Sequence, residues 1–191
     1  MARWQPDARE RLRAAALDLF DERGFDQTSV AQIAQRAELT ERTFYRHYAD
    51  KREVLFQGQE KLNDALADAL ATAPELGPLA VADEVLARAA TFFDDERRPF
   101  SRRRQRVIDA NPELMERERA KMAHLTDALA AGFRERGIPD VRAAVAAGTI
   151  VSAFQVTFGL WVAPDETRGF TELGRAVVGE LRAALAADAA L

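Results

Sequence analysis

The stretch LTERTFYRHYADK, from Leu39 to Lys51, combines charges and aromatic rings in a way that neither a core helix nor a solvated helix requires. It holds two tyrosines, one phenylalanine, two arginines and one histidine. At about 100° per residue, Phe44 and Tyr48 fall near one face of a helix. These two rings are therefore predicted to anchor the helix to its neighbours.

The opposite face of this helix presents groups that suit a DNA groove. Arginine can donate two parallel hydrogen bonds to a guanine edge, and a threonine methyl can contact a thymine methyl. A tyrosine hydroxyl can donate to a phosphate oxygen. A surface helix of an ordinary bundle, with Tyr45 half-buried, would show the same spacing. The residues on this face are Arg42, Thr43, Tyr45 and Arg46, with His47 at its edge.

The elements around this helix have the proportions of a helix-turn-helix. Residues 29–36 predict a short helix, 37–39 a tight turn and 40–48 the second helix, which enters the major groove in such motifs. Ser29 and Gln32 form a capping-box pattern, and Thr40 is a typical N-cap.

Two helix starts are predicted to hold phosphates through exposed backbone N–H groups, at Thr28–Ser29 and at Asp50–Lys51. Lys51 adds a positive charge there. Asp50 and Glu53 form a second capping pair, which predicts a fourth helix running to about residue 71. Residues 36–56 contain five basic and four acidic side chains. Because this surplus of positive charge is small, a useful affinity for DNA is expected to require a dimer.

The composition bounds the protein class. The 191 residues contain no cysteine, which excludes disulfides and thiolate metal sites and favours a reducing cytosol. No window approaches the roughly 18 apolar residues of a membrane span, so a cytoplasmic protein is expected. The periodicity predicts an all-α chain of about nine helices. Pro74, Gly77 and Pro78 predict a boundary between a DNA-binding domain at 1–56, with a connecting helix to about 72, and a helical domain at 75–191.

The segment AAALDLFDERGFDQTSVAQIAQRAELTERTFYRHYADKREVL resembles the DNA-binding module of the TetR family of bacterial repressors. Glu38 stands where glycine is common in that pattern. The resemblance implies an all-α homodimer joined through the last two helices, with a C-terminal domain that binds a small effector. The DNA contacts it implies are Thr28, Ser29, Thr40, Glu41, Arg42, Thr43, Tyr45, Arg46, His47 and Lys51.

Glu41 fits this surface less simply than its neighbours. Its carboxylate would repel phosphates. It could instead accept a hydrogen bond from a cytosine amine, or complement the positive end of its own helix.

Six of the ten residues from Arg97 to Arg106 are arginines. One interpretation is a solvated helix whose arginines pair with the acids at 94–96. Another is the mouth of a site for an anionic effector, because guanidinium groups bind phosphates and carboxylates through paired donors. The run loosely resembles a TetR branch that contains mycofactocin-associated and acyl-CoA-responsive regulators. That resemblance implies an acyl-CoA-like effector, with Arg103 and Arg104 near its phosphates.

The apolar residues of the C-terminal half allow two interpretations as well. They could surround an apolar tunnel or simply form the core, which is commoner at helical spacing. Small residues in the helix that starts at Asp140, and in the last helix, fit either a two-fold helical bundle or internal packing. The candidate effector contacts are Phe92, Phe93, Met122, Leu125, Phe154, Phe158 and Trp161.

Three functions therefore compete: a ligand-responsive repressor, an all-α enzyme and a protein-binding helical adapter. The sequence disfavours the enzyme, because its two histidines, His47 and His124, have no evident metal or triad partner. It also has no G-x-S-x-G and no phosphate-binding glycine loop. No cofactor, metal or catalytic residue is predicted. The family-like Thr43, Tyr45 and Lys51 disfavour the adapter.

Overall fold

A computed structural model describes residues 7–74 and 77–188, which form nine α-helices and no strand. The predicted all-α fold is confirmed. The helices are α1 (Ala8–Arg23), α2 (Val30–Arg36), α3 (Glu41–His47), α4 (Gln59–Thr72), α5 (Pro78–Ala90), α6 (Arg98–Asp109), α7 (Pro112–Glu135), α8 (Asp140–Val162) and α9 (Phe170–Asp188).

The predicted caps of the helix-turn-helix are confirmed. The Ser29 hydroxyl accepts from the Gln32 amide, and the Gln32 side chain accepts from the Ser29 amide, which completes the capping box of α2. Thr40 Oγ1 accepts from the amide of Thr43 at 3.2 Å and starts α3. Each bond satisfies a backbone donor that the first helical turn leaves unpaired.

The predicted start of the fourth helix is wrong. Asp50 does accept from the amides of Arg52 and Glu53, at 2.8 and 3.1 Å, but the residues Glu53–Leu55 form only a short 3-10 turn. Gly58 then takes a φ of 87°, a left-handed conformation that ends any right-handed helix. As a result α4 begins at Gln59, beyond this break.

The chain divides into two compact units. The first contains residues 7–58 and 103–118, and the second contains the described residues of 59–102 and 119–188. The sequence-based boundary assigned 103–118 to the C-terminal domain, whereas the structure groups them with the helix-turn-helix. This segment is bonded to the rest of the first unit, since Arg103 pairs with Asp18 and Asp21 and Arg104 donates to the Leu55 carbonyl oxygen.

In the second unit α5 packs against α4, α8 and α9. The expectation that no window is apolar enough for a membrane span is wrong, because α8 has an 18-residue window with a mean hydropathy of 1.6. Length and composition alone would let this helix cross a bilayer. Yet 44% of the window is buried within the protein, and the buried core helix of a soluble protein meets the same criteria.

Candidate nucleic-acid interface

The helix α3 is anchored through the two rings that the sequence placed on its inner face. Phe44 is fully buried, and the Tyr48 ring lies 5.4 Å from it. The Tyr48 hydroxyl donates to the side chain of Gln57 and lies 3.2 Å from the Arg9 carbonyl oxygen. Burial raises the pKa of Tyr48 to about 12, so the hydroxyl stays a neutral donor at physiological pH.

The outer face of α3 carries free cationic side chains. Arg42 and Arg46 are exposed, and within the described residues neither makes a hydrogen bond or an ion pair. Several other arginines of the first unit are held in bonds to protein groups. Arg36 forms a two-bond pair with Glu22 at 2.8 and 2.9 Å, for example. The two α3 guanidiniums therefore keep all their donors for a ligand.

Tyr45 is 57% exposed and lies beside these arginines on the surface of α3. Its ring edge packs on Phe44, with centroids 5.5 Å apart and planes at 82°. This contact restricts the ring while leaving more than half of the residue open to solvent. Glu41 and His47 flank this surface at the two ends of the helix, Glu41 exposed and His47 half-buried.

The hydroxyls of Thr40 and Thr43 form a coupled pair 3.0 Å apart. Thr40 Oγ1 already accepts from the Thr43 amide, and a single hydrogen links the two hydroxyls. Two hydroxyls carry two hydrogens, so one O–H remains available to an outside acceptor. This pair can therefore donate to a phosphate or to a base at the start of α3.

Thr28 and Ser29 do not offer the donors that the sequence analysis assigned to them. Thr28 is 2% exposed, and its hydroxyl donates to the carbonyl of Gly24 at 2.8 Å. Its amide donates to Phe25 at 3.2 Å. The prediction that Thr28 contacts DNA through these groups is therefore wrong, because burial and internal bonding use both. The Ser29 amide is likewise bound within the capping box.

Lys51 is tied to the turn after α1. Its ammonium donates to the Phe25 carbonyl oxygen at 2.7 Å and lies 4.1 Å from the centroid of the Phe25 ring. Burial lowers its pKa from the usual value. An ammonium group has three donors, so this anchored lysine can still present N–H groups to a phosphate.

Comparisons with known proteins agree with this geometry. The family model "Bacterial regulatory proteins, tetR family" matches residues 12–57. TcmR of Streptomyces glaucescens, an HTH-type transcriptional regulator, is 39% identical over 66 residues. This match covers 35% of the chain and only 29% of TcmR. BetI of Cronobacter sakazakii, another HTH-type transcriptional regulator, is 30% identical over 167 residues, which span 83% of the chain and 79% of BetI.

The chain belongs to the TetR family. Among solved structures, the TetR-family regulator PfmR of Thermus thermophilus is 26% identical with a TM-score of 0.52. The alignment covers 88% of this chain and 95% of PfmR. The family assignment makes this protein a DNA-binding transcriptional regulator.

The turn between α2 and α3 departs from the usual TetR pattern at Glu38. Two backbone bonds close this turn, from the amide of Leu39 to Ala34 and from the amide of Glu38 to Gln35. This is a Schellman motif, whose left-handed position normally takes glycine. Glu38 occupies it with a φ of 53°, and Arg11 pairs with its carboxylate at 3.3 Å.

The arginines predicted to bind an effector belong to the DNA-binding unit of this TetR protein. Arg103 pairs with Asp18 and Asp21 at 2.7 and 2.6 Å. Arg104 donates to the Leu55 carbonyl oxygen and to Glu118, at 2.6 and 3.1 Å. An effector phosphate would have to compete with these bonds to protein groups, so the binding of effector phosphates by Arg103 and Arg104 stays a prediction.

The predicted effector-contacting rings do meet in the second unit. The Phe93 ring lies 5.8, 5.3 and 5.5 Å from the rings of Phe154, Phe158 and Trp161, and it stacks on Phe170 at 4.9 Å. These rings pack on one another, so a bound tail would have to separate them. The same core cluster includes Leu125, fully buried, with Phe92 and Met122 packed against it and partly buried.

Proposed function

We propose that this protein is a homodimeric repressor that binds operator DNA through the outer face of α3 and is released by a small effector. The observation that carries the DNA-binding surface is the pair of unpaired guanidiniums, Arg42 and Arg46, flanking the exposed Tyr45. Arginine is the residue type that most often reads guanine in the major groove.

The proposed base and phosphate contacts follow from which donors are free. Arg42 and Arg46 are assigned to base edges or phosphates, and Tyr45 to a phosphate oxygen. The Thr40–Thr43 pair contributes its spare O–H. The ammonium group of Lys51 donates its remaining N–H groups to phosphates of the DNA backbone. Glu41 is assigned to a cytosine amine, since a carboxylate is an acceptor only.

A two-fold dimer through α8 and α9 is supported by exposed apolar residues on those helices. The pairs 141/145 and 156/160 are each four residues apart along α8, the spacing of neighbours on a helix surface. Exposed apolar stripes of this kind mark association surfaces. To enter successive major grooves, the two α3 helices of such a dimer must lie about 34–36 Å apart. The exposed residues are Val141, Val145, Val156 and Leu160 on α8 and Leu185 on α9.

Effector release requires two states of the dimer. A ligand that binds the DNA-incompetent state more tightly shifts the population away from the operator-bound state. The acyl-CoA-like identity of the effector stays a prediction, and so does the cytoplasmic location.

The test is a salt titration of binding to the DNA directly upstream of the gene. Arg46→Ala is compared with Arg119→Ala, which removes an exposed arginine from α7. If Arg46 contacts phosphate, its loss lowers the slope of log K against log salt by about 0.9 per contact. If it reads a base, its loss costs about 1–3 kcal/mol and relaxes specificity.

Arg119→Ala is expected to leave both quantities unchanged. DNA binding through α3 would be refuted if the unaltered protein bound neither this DNA nor any other duplex at low salt.

A further inference from the structure

Three buried donors in the second unit lack a hydrogen-bond acceptor. They are Nε of Arg98, Nε of Arg102 and Nε1 of Trp161, and each nitrogen is shielded from solvent. Arg98 is only 6% exposed and Trp161 is fully buried. Among the described side chains of this unit, these are the buried polar atoms without a partner, and all three are N–H donors. Their complement is a hydrogen-bond acceptor.

The three side chains that carry these donors are neighbours. The Arg98 guanidinium sits over the Trp161 ring, 5.3 Å from its centroid. Arg98 and Arg102 occupy successive turns of α6, and both donate to the carbonyl oxygen of Glu166, at 2.8 and 2.7 Å. Arg102 also donates to the Ala163 carbonyl at 2.7 Å. We call this group, Arg98, Arg102 and Trp161, the donor cluster.

The donor cluster carries a positive charge that its surroundings do not balance. Asp95 pairs with Arg98 at 2.6 Å. The acceptors that hold Arg102 in the described structure are carbonyl oxygens, which are neutral. The Glu166 carboxylate is engaged by Arg168 at 2.6 Å, and this bond lowers its pKa to about 2. A partly buried cation is stabilised best by an anion that also accepts its hydrogen bonds.

The other side of the donor cluster is apolar. The Trp161 ring lies 5.5 Å from Phe93 and 6.0 Å from Phe158. One tryptophan thus joins the unpaired N–H groups to a cluster of aromatic rings. A molecule that complements both sides has an acidic head and an apolar body.

We propose that the donor cluster binds the carboxylate of an amphiphilic organic acid, whose apolar part inserts among Phe93, Phe158 and Trp161. The carboxylate replaces the carbonyls of Ala163 and Glu166 as acceptor for Arg102, and it accepts from the unpaired Nε and Nε1 donors. Binding therefore removes the bonds from Arg102 to the loop between α8 and α9, while Arg98 keeps its bonds to the carbonyl oxygens of Glu166 and Arg168. The assignment of this acid as the effector rests on the proposed repressor function, whereas its binding does not.

Tryptophan fluorescence gives a direct measurement. The chain has two tryptophans, so Trp4→Phe leaves Trp161 as the only reporter. Decanoate is titrated against decanol, which has the same tail without the charge. Decanoate is expected to give a saturable change in Trp161 emission and to bind at least about tenfold more tightly than decanol.

Two arginine variants in this background locate the head group. Arg102→Gln is expected to weaken decanoate binding by at least about tenfold. Arg175→Gln, with the same change of charge at an exposed site on α9, is expected to have no effect. Circular dichroism checks that both variants fold. The comparison of decanoate with decanol uses a protein whose donor cluster is intact. Its result is therefore valid even if the Arg102→Gln variant does not fold.

Equal binding of decanoate and decanol would overturn the proposal, and so would equal effects of the two arginine variants. The absence of a saturable response to decanoate also overturns it. Operator binding is measured on the same samples. A protein that binds DNA but not decanoate refutes the acid site alone, whereas one that binds decanoate but no DNA refutes the repressor.

Discussion

Glu38→Gly is expected to stabilise the protein although it removes an ion pair. Glu38 has a φ of 53° at the left-handed position of a Schellman motif. A side chain with a Cβ costs roughly 1–2 kcal/mol in that conformation. Glycine removes this strain but gives up about 0.5–1 kcal/mol through the larger entropy of the unfolded chain.

The ion pair that is lost contributes little to this balance. The Glu38 side chain is 88% exposed and lies 3.3 Å from Arg11, and exposed pairs of this kind are screened by solvent. Arg11 also keeps its bond to the Ala37 carbonyl oxygen. The net gain is about 0.5–1 kcal/mol, which corresponds to a rise of roughly 1–4 °C in Tm for a chain of this size.

The measurement is thermal or urea unfolding followed by circular dichroism, with Glu38→Ala as the matched control. Alanine removes the carboxylate but keeps the Cβ, so its stability should stay close to that of the unaltered protein. An equal gain in stability from alanine and glycine would show that loss of the carboxylate, and not the backbone conformation, causes the stabilisation. A glycine variant less stable than the parent would refute the strain argument outright.

Two further predictions concern α3 and the dimer. Because burial raises the pKa of Tyr48 to about 12, the unfolded chain releases the Tyr48 proton at lower pH than the folded chain does. Stability should therefore be complete below about pH 10 and fall between about pH 10 and 12. Tyr48→Phe should flatten that part of the curve in denaturant titrations at fixed pH, and an unchanged slope would assign the loss to other groups. Val145→Glu, at a residue 64% exposed on α8, should convert the dimer to monomer in light scattering, whereas Ala123→Glu on α7 should not. A parent protein that is already monomeric would contradict the proposed interface.

Much of the recognition motif could be predicted because its signals are local. The capping box of Ser29 and Gln32, the Thr40 cap and the inward Phe44 each depend on residues within one or two helical turns. The nine helices of residues 7–74 and 77–188 follow from apolar periodicity in the same way. Interactions over three or four residues are encoded by spacing, so spacing is enough to predict them.

The errors arise where a distant partner decides the role of a residue. Thr28 looks like an exposed cap in sequence, but its hydroxyl bonds to the carbonyls of Gly24 and Leu19 beneath the surface. The predicted helix at Asp50 fails because the conformation of Gly58 interrupts it. No spacing rule states which backbone groups a folded chain will bring to a hydroxyl, since that depends on packing.

The arginine run shows the division between sequence and tertiary structure most clearly. The sequence by itself determined that six guanidiniums lie within ten residues, and that they could bind acids or an anionic ligand. The tertiary structure decided which partner each arginine meets. Arg103 meets Asp18 and Asp21, more than eighty residues earlier in the chain, while Arg102 meets the carbonyls of Ala163 and Glu166. Neighbouring residues of one helix point in directions about 100° apart, so long-range packing gives each a different environment and a different chemistry.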